Sequence, residues 1–501
     1  MPESKEAIVK NMLSDTAAAE VTGASDVKRS NRTARLWLWA MVAAGAVLRL
    51  TALGYKSFWL DEIASVGTAR RAGSAFWYWV WHEEGNMAAY YVLLHEWLHF
   101  GVAETTVRLL SVIPGVAAVP VIYLLGTRLF GRKAGLLAAG FLALNACSVV
   151  VSQEARAYSF LVLGVLASTY FFVRLIEQPT YSKAWMYGLV AGLGCYFHYF
   201  GILVPIAHGL SLVALPKNRR PWKELSAAGV IVAGAGAPVL WMIHAQSIQH
   251  IAWVQPASWL ELYHLGGFLA AGSGKAIGAV LLAVDLALIF LFLRKLKSLW
   301  HDRECGLDGW RYGLIASGLI APVVITLLAS IARPVFYHRF LIICLPAGIL
   351  MTAAGAQEIS SRRWRMAAMA AVCALSVASA VVSYTQVRED WRGVTRYLMA
   401  RARPEDIVFY HERLGYMATE NYRTWLAGEG APRPRGVRIF DPAGNWETQI
   451  GGASRVWLVL YRTKLDDQAG RAIDAKLTSQ FTAEAPVKFR GVTVVEYRAK
   501  P

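Results

Sequence analysis

The feature that most constrains this chain is a series of apolar stretches, each about as long as a bilayer core is thick, separated by short basic segments. A spanning helix needs roughly 20 mostly apolar residues, because its backbone polar groups must satisfy one another where water is absent. Candidate spans lie near 36–53, 107–130, 134–152, 157–176, 276–293, 310–330, 340–357 and 366–384. With 56% hydrophobic and 17% charged residues, the composition is that of a polytopic membrane protein and excludes an ordinary soluble enzyme. The formal charge of +17 is dispersed in clusters between apolar runs and forms no single stripe, which argues against nucleic acid as a partner. Cys147, Cys195, Cys305, Cys344 and Cys373 make no CxxC or Cys/His spacing suited to a disulfide framework or a metal cage.

Basic clusters mark cytoplasmic loops. They occur in the N-terminal tail, at Arg128 with Arg132 and Lys133, at Arg174 with Lys183, in KNRRPWK (217–223), in RKLK (294–297) and in RRWR (362–365). Keeping all of them on one side makes 184–215 a short hairpin out and back, turning near YFHYFG, and adds a span at 225–245. It also makes 88–102 an interfacial or re-entrant helix within a long outer loop, 54–106. The expectation is a flexible cytoplasmic tail over 1–35, a membrane domain over 36–384 with about eleven spans, N-terminus in and C-terminus out, and an extracytoplasmic domain over 385–501. In that last part DIVFYH, RVWLVLY and VTVVEY read as strands, and 391–402 and 465–480 as helices, giving an α/β domain. Its glycines form no GxGxxG or GxxxxGK motif, so no nucleotide site is indicated.

The same parity collects chemistry-bearing residues on one face. Asp61 and Glu62, in FWLDEIAS, follow the first span; Glu154, Arg156 and Tyr158 lie in SQEARAY; His198 is at the hairpin tip; Lys275 ends an outer loop; Arg333, His338 and Arg339 lie in ARPVFYHRF. Each also has a structural reading. The adjacent acids suit a helix N-terminus, Glu154 can pair with Arg156, His198 fits an interfacial aromatic cluster, and Arg339 can snorkel from the end of an apolar run. Read functionally, an outward carboxylate serves as a general base, and arginine captures phosphate bidentately, with lysine acting as a point charge.

The ordered series FWLDEIAS, MAAYYVLLHEWLHFG, TTVRLLSVIPGVAAVPVIYLLGTRLFG, SQEARAYSF, FHYFG and RPVFYHRFLIICLPA resembles the polytopic GT-C glycosyltransferases. The resemblance is to the family 39 group that includes protein O-mannosyltransferases and aminoarabinose transferases, and it covers most of residues 36–357. It implies a GT-C-type bundle in a bacterial inner membrane that transfers a sugar from a polyprenyl-phosphate donor on the extracytoplasmic side, with inversion. Asp61 would be the catalytic acid residue acting as base, with Glu62 and Glu154 in support. Arg339, Lys275, His338, His198, Arg156 and Tyr158 would face the lipid phosphate and donor. The acceptor classes compatible with the resemblance are a protein, a cell-envelope glycan and a lipid head group. Some relatives use a divalent metal and others do not. Many members carry a Pro-Pro pair where this chain has Ala88 and Ala89. A transporter is the rival reading, but transporters place charges mid-span in broken helices and repeat their halves. A second rival is a catalytically inactive scaffold in envelope glycan assembly.

Overall fold

The computed structural model describes residues 31–246, 253–272, 275–301, 306–386, 388–428, 430, 434–438, 450, 452–462 and 464–500. Most of the expected cytoplasmic tail and Cys305 lie outside the described residues. The first helix, α1 (Asn31–Leu50), begins earlier than the expected Leu36. Three short helices follow at the bundle's end, α2 (Leu60–Ala69), α3 (Gly73–His82) and α4 (Ala88–Trp97). None of these three is long enough to cross a bilayer, as expected for 88–102. α5 (Glu104–Phe130) then returns through the bundle, and Gly131 at φ +86° makes the one-residue turn into α6 (Arg132–Leu144).

The stretch 134–152, expected as one span, is instead bent by 54° between α6 and α7 (Ala146–Ser152). Asn145 makes the break: its side-chain oxygen accepts from Ser148 N at 2.9 Å, capping α7. Its amide donates to Leu269 O and Ala270 O at 3.0 and 3.1 Å. The chain continues through α8 (Tyr158–Glu177), α9 (Tyr181–Phe197), α10 (Leu203–Ser211), α11 (Trp222–Ala245), α12 (Trp259–Ala271), α13 (Lys275–His301), α14 (Leu307–Ala332), α15 (Leu345–Gln357) and α16 (Arg362–Thr385).

Among the described residues, eight helices are long and apolar enough to span, or nine if the bent pair counts as one span, against the expected eleven or so. The difference lies in the hairpin. Its arms, Tyr181–Phe197 and Tyr199–Ala214, meet at His198 and are both shorter than the roughly 20 residues a bilayer core requires. At one end of the bundle Glu177 joins Arg128 at 2.5 Å and Arg311 at 2.8 Å, tying α5, α8 and α14. The candidate site lies at the other end, where α1, α7, α14 and α16 finish and α2, α5, α8 and α15 begin.

Beyond α16 come α17 (Trp391–Arg401), β1 (Ile407–Tyr410), α18 (Arg413–Ala427), β2 (Arg435–Arg438), β3 (Arg455–Tyr461), α19 (Gln468–Gln480), β4 (Phe481–Ala483), β5 (Val487–Phe489) and β6 (Val492–Ala499). The sheet is mixed, in the order β2-β1-β3-β6-β4, with β5 also on β6. β1 runs parallel to β2 and β3, while β6 is antiparallel to β3. The three expected strands and two expected helices of this region are all present. One apolar cluster runs from Phe58, Ile63 and Val66 through Val107 and Leu110 to Trp391, Tyr422 and Trp457, so the short helices at this end and one face of the sheet share a core. Polar contacts reinforce it: Ser57 Oγ donates to Glu389 O at 2.7 Å, and Arg392 pairs with Glu104 at 3.2 Å.

Candidate active site

The three acids expected to face outward differ in what they touch. Glu62, 1% exposed, lies in the first turn of α2, where its carboxylate accepts Trp59 N at 3.2 Å and so caps the helix. Arg108, from the first turns of α5, grips it bidentately through Nε at 2.8 Å and Nη2 at 2.7 Å, and Ala155 N adds a fourth bond at 2.9 Å. Arg108 spends its remaining donors on the carbonyls of Leu53, Lys56 and Ser57. The Glu62–Arg108 pair therefore shapes the 53–57 loop, and no oxygen of Glu62 is left over for a substrate proton.

Glu154, in the loop between α7 and α8, is also committed. Its two oxygens pair with Nη2 of Arg339 and, at 2.6 Å, Nη2 of Arg388. Burial opposes ionisation, but Arg339 and then Arg388 outweigh it and hold the Glu154 carboxyl below the usual range. For Arg339, burial disfavours the charge while Glu154, Tyr158, Tyr337 and Asp61 raise its pKa. The Arg339 guanidinium lies 5.2 Å from the ring centre of Trp59 and 5.3 Å from that of Tyr158, and Arg388 covers Trp59 at 3.9 Å.

Asp61, next to Glu62 in the first turn of α2, points elsewhere. Its backbone carbonyl accepts from Ser65 Oγ at 2.9 Å and Arg156 Nη1 at 3.4 Å. Its half-buried carboxylate takes no hydrogen bond or ion pair from the described residues. It still acts electrostatically on Arg156, Arg339, Tyr337 and Tyr91. Of the three acids, Asp61 is the one with an uncommitted carboxylate.

A polar cavity of about 330 Å³ opens beside these groups, lined by Lys56, Trp59, Glu154, Phe268, Tyr337, His338, Arg339 and Arg388 among others. Asp61 does not line it but acts electrostatically on Arg339, which does. Lys56 donates to Ser383 O at 2.7 Å; burial, followed by Arg388 and Arg108, lowers its pKa to about 8. Buried donors without a partner among the described residues include Trp59 Nε1, Arg339 Nε, Arg388 Nη1 and Arg156 Nε. Three cations, Lys56, Arg339 and Arg388, and the unpartnered N–H groups of Trp59, Arg339 and Arg388 around one polar cavity make a receptor for an anion with several oxygens.

Lys56, Trp59 and Arg388 were not among the residues singled out from the sequence. Lys56 sits five residues before Asp61, in a stretch that reads as a plain loop, and Arg388 follows the last span by three residues. The remaining candidates fall in different places. Arg156 donates to Ser65 Oγ at 3.2 Å beneath Asp61. Tyr158 lies between Arg339 and His198, whose ring is 6.2 Å away. His198 is buried, and its Nδ1 accepts Phe200 N at 3.1 Å, so that nitrogen is unprotonated and the ring is no cation for a phosphate. Its Nε2 lies 3.4 Å from Asn86 Nδ2. His338 lines the cavity with its ring against Phe268. Lys275 begins α13, and its side chain lies outside the described residues. Although the prolines common in the resembled group are absent, α4 still starts at Ala88.

Comparison with known proteins agrees with this architecture. Residues 87–242 match the family of dolichyl-phosphate-mannose-protein mannosyltransferases. No curated protein matches the chain by sequence. Among solved structures, the chain is similar to ArnT from Cupriavidus metallidurans in the apo state, with a TM-score of 0.62 at 11% identity, over 93% of this chain and 98% of that one. ArnT bound to undecaprenyl phosphate gives 0.61 at 13% identity, over 92% and 98%. The archaeal oligosaccharyltransferase AglB from Archaeoglobus fulgidus, in complex with an inhibitory peptide and a dolichol-phosphate, gives 0.52 at 10% identity, over 91% and 74%. These likenesses establish an ArnT-like fold. The matched family segment begins after Asp61 and Glu62, so the roles of those acids rest on their geometry.

Proposed function

We propose that this chain, whose residues 87–242 match the dolichyl-phosphate-mannose-protein mannosyltransferase family, is a membrane glycosyltransferase that moves a sugar from a polyprenyl-phosphate donor to an acceptor on the extracytoplasmic face, with inversion. The observation that carries the reading is the uncommitted Asp61 carboxylate beside a cavity edged by Lys56, Arg339 and Arg388. In this mechanism Asp61 takes the proton from the acceptor hydroxyl as its oxygen attacks the anomeric carbon. The bond from that carbon to the phosphate oxygen breaks, and polyprenyl phosphate leaves with the electron pair. The cations and unpartnered N–H groups stabilise the charge that grows on the departing phosphate. Glu154, itself at the cavity wall, holds Arg339 and Arg388 in place, and Glu62 with Arg108 holds the loop that carries Lys56.

A membrane setting is also required by the donor. Each CH₂ of a polyprenyl chain drawn into water costs about 0.8 kcal/mol, so the enzyme must work where the chain is embedded.

Gentle extraction followed by mass spectrometry of co-purified lipid tests the reading. Wild type is expected to retain a polyprenyl phosphate or its glycosylated form, and Arg388→Ala to retain at least about tenfold less, the loss of one charge-assisted hydrogen bond of 1.5–3 kcal/mol. Only ordinary phospholipid in both samples would contradict it.

A pH dependence follows from Lys56. With its pKa lowered to about 8, it is charged below that pH and neutral above it, whereas a donor phosphodiester keeps its negative charge throughout. Donor affinity is therefore expected to fall as pH rises from 7 to 9. In Lys56→Arg the profile should be flat, because guanidinium stays charged over that range. Titrating donor binding in both proteins decides it, and identical profiles would remove Lys56 from the phosphate site.

A further inference from the structure

The loop that carries Lys56 is held from two directions. On the bundle side, Arg108 takes the carbonyls of Leu53, Lys56 and Ser57. From the far end of the chain, Arg392 donates to Gly54 O at 3.4 Å and Tyr55 O at 2.9 Å, and Ser57 Oγ donates to Glu389 O at 2.7 Å. The loop's last residue, Phe58, donates its N–H to the Tyr422 hydroxyl at 2.6 Å across 364 residues of sequence. That hydroxyl donates in turn to Glu104 Oε1 at 2.9 Å, at the start of α5, where Glu104 also pairs with Arg392. Tyr422 thus accepts from the loop and donates to the bundle, using both capacities of a phenol. The junction is dry: Phe58 and Tyr422 are buried, and the Phe58 ring stands edge-on to Trp425 at 5.5 Å.

We propose that the α/β region is a clamp on the donor site, with Tyr422 as a positioning residue that fixes the 54–58 loop at Phe58 and so sets the place of the Lys56 ammonium at the cavity wall. A lysine head is a point charge on a flexible four-carbon stem, so its position depends on how firmly its backbone is held. Arg108 grips the loop only by its carbonyls, and the hydrogen bond from Phe58 N to Tyr422 closes the end next to α2. Without the hydroxyl, a buried N–H is left without a partner, and the loop gains by moving that group toward water.

Lys56 itself reports the state of the clamp. Burial is the largest cause of its lowered pKa, with Arg388 and Arg108 adding to it and Glu154 and Glu62 opposing. A released loop hydrates the amine and moves its pKa up from about 8, toward the ordinary lysine value of about 10.4. At pH 7 the amine is charged in either state, so a displaced Lys56 gains no charge and loses only its fit to the donor phosphate. The effect on the donor rests on the donor-phosphate reading, whereas the clamp does not.

The test uses the full-length protein in detergent and two readouts. The first is the pH dependence of Lys56 acylation by a small water-soluble reagent, followed by peptide mass spectrometry, which titrates the amine with no donor present. The second is the affinity for a polyprenyl-phosphate sugar at pH 7. Tyr422→Phe removes one oxygen and keeps the ring, and it should move the Lys56 titration to higher pH and weaken donor binding at least about fivefold, the loss of one hydrogen bond and the stranding of its buried donor. Arg392→Gln should shift both in the same direction. The control is Tyr497→Phe, which removes another buried phenol, bonded to Asp474 at 2.6 Å in the cluster on the other face of the sheet. It should lower thermal stability and leave both readouts at wild-type values. A Lys56 titration that is the same in wild type and Tyr422→Phe overturns the clamp, whatever happens to donor binding. So does an equal shift in Tyr497→Phe, which would make the effect a general loosening. A shifted titration with unchanged donor affinity keeps the clamp and removes Lys56 from the phosphate reading.

Discussion

Replacing Asp61 by Asn is expected to lower kcat by about 10²–10⁴-fold, the contribution of a positioned general base, while the purified protein keeps its fold and its co-purified donor lipid. The change is nearly isosteric, and since the carboxylate takes no hydrogen bond from the described residues, none of those bonds is lost with it. What disappears is the capacity to accept the acceptor's proton. A direct transfer assay with defined donor, alongside lipid analysis, measures both quantities. Full activity in Asp61→Asn would show that the base lies elsewhere, and loss of donor together with activity would make Asp61 a binding residue.

The neighbouring residue should behave in the opposite way. Glu62→Gln is expected to destabilise the protein by about 3–5 kcal/mol, because it leaves Arg108 buried without its countercharge. Thermal unfolding in detergent should show the loss, and the yield of monodisperse protein should fall with it. Replacing both members, Glu62→Met with Arg108→Met, is expected to recover part of the stability, since it removes the buried charge instead of stranding it. A Glu62→Gln protein that unfolds like wild type but turns over slowly would mean that Glu62 takes part in the chemistry. Two adjacent carboxylates are thus expected to fail differently, one in rate and one in stability.

That contrast was not legible in FWLDEIAS. Asp61 and Glu62 have the same charge, the same loop and almost the same distance from the first span. What separates them is the 100° turn between successive helical residues, which sends Glu62 inward to Arg108, 46 residues away, and leaves Asp61 on the open side. The commitment of Glu154 was likewise invisible, because its partners Arg339 and Arg388 are 185 and 234 residues distant. The nearby Arg156, its natural partner by sequence, turns instead toward Ser65 and the Asp61 carbonyl. Lys56 and Arg388 reach the cavity only because the α16–α17 junction folds back onto the 53–57 loop.

The hairpin over 184–215 shows the same limit in the fold. Charge placement required an even number of crossings there, and the helix pair meeting at His198 is present, but the arms are shorter than ordinary spans. Positive-inside reasoning counts passages and not their lengths. Similarly, 134–152 has the length and hydropathy of one span, and the bend at Asn145 depends on carbonyls of α12 that take its amide protons.

By itself, the sequence determined that the chain crosses a membrane many times, that its acids and several basic residues gather at one end, and that a mixed α/β region follows the last long helix. These properties depend on local composition, on the 3.6- and 2-residue periodicities and on charge flanking each span, all of which are readable in windows of about 20 residues. Only the tertiary structure decided which carboxylate is free and which cations surround the cavity. The physical reason is that a buried charge takes its state from whichever opposite charge and N–H groups pack against it, and in this bundle those partners come from helices far apart in the chain.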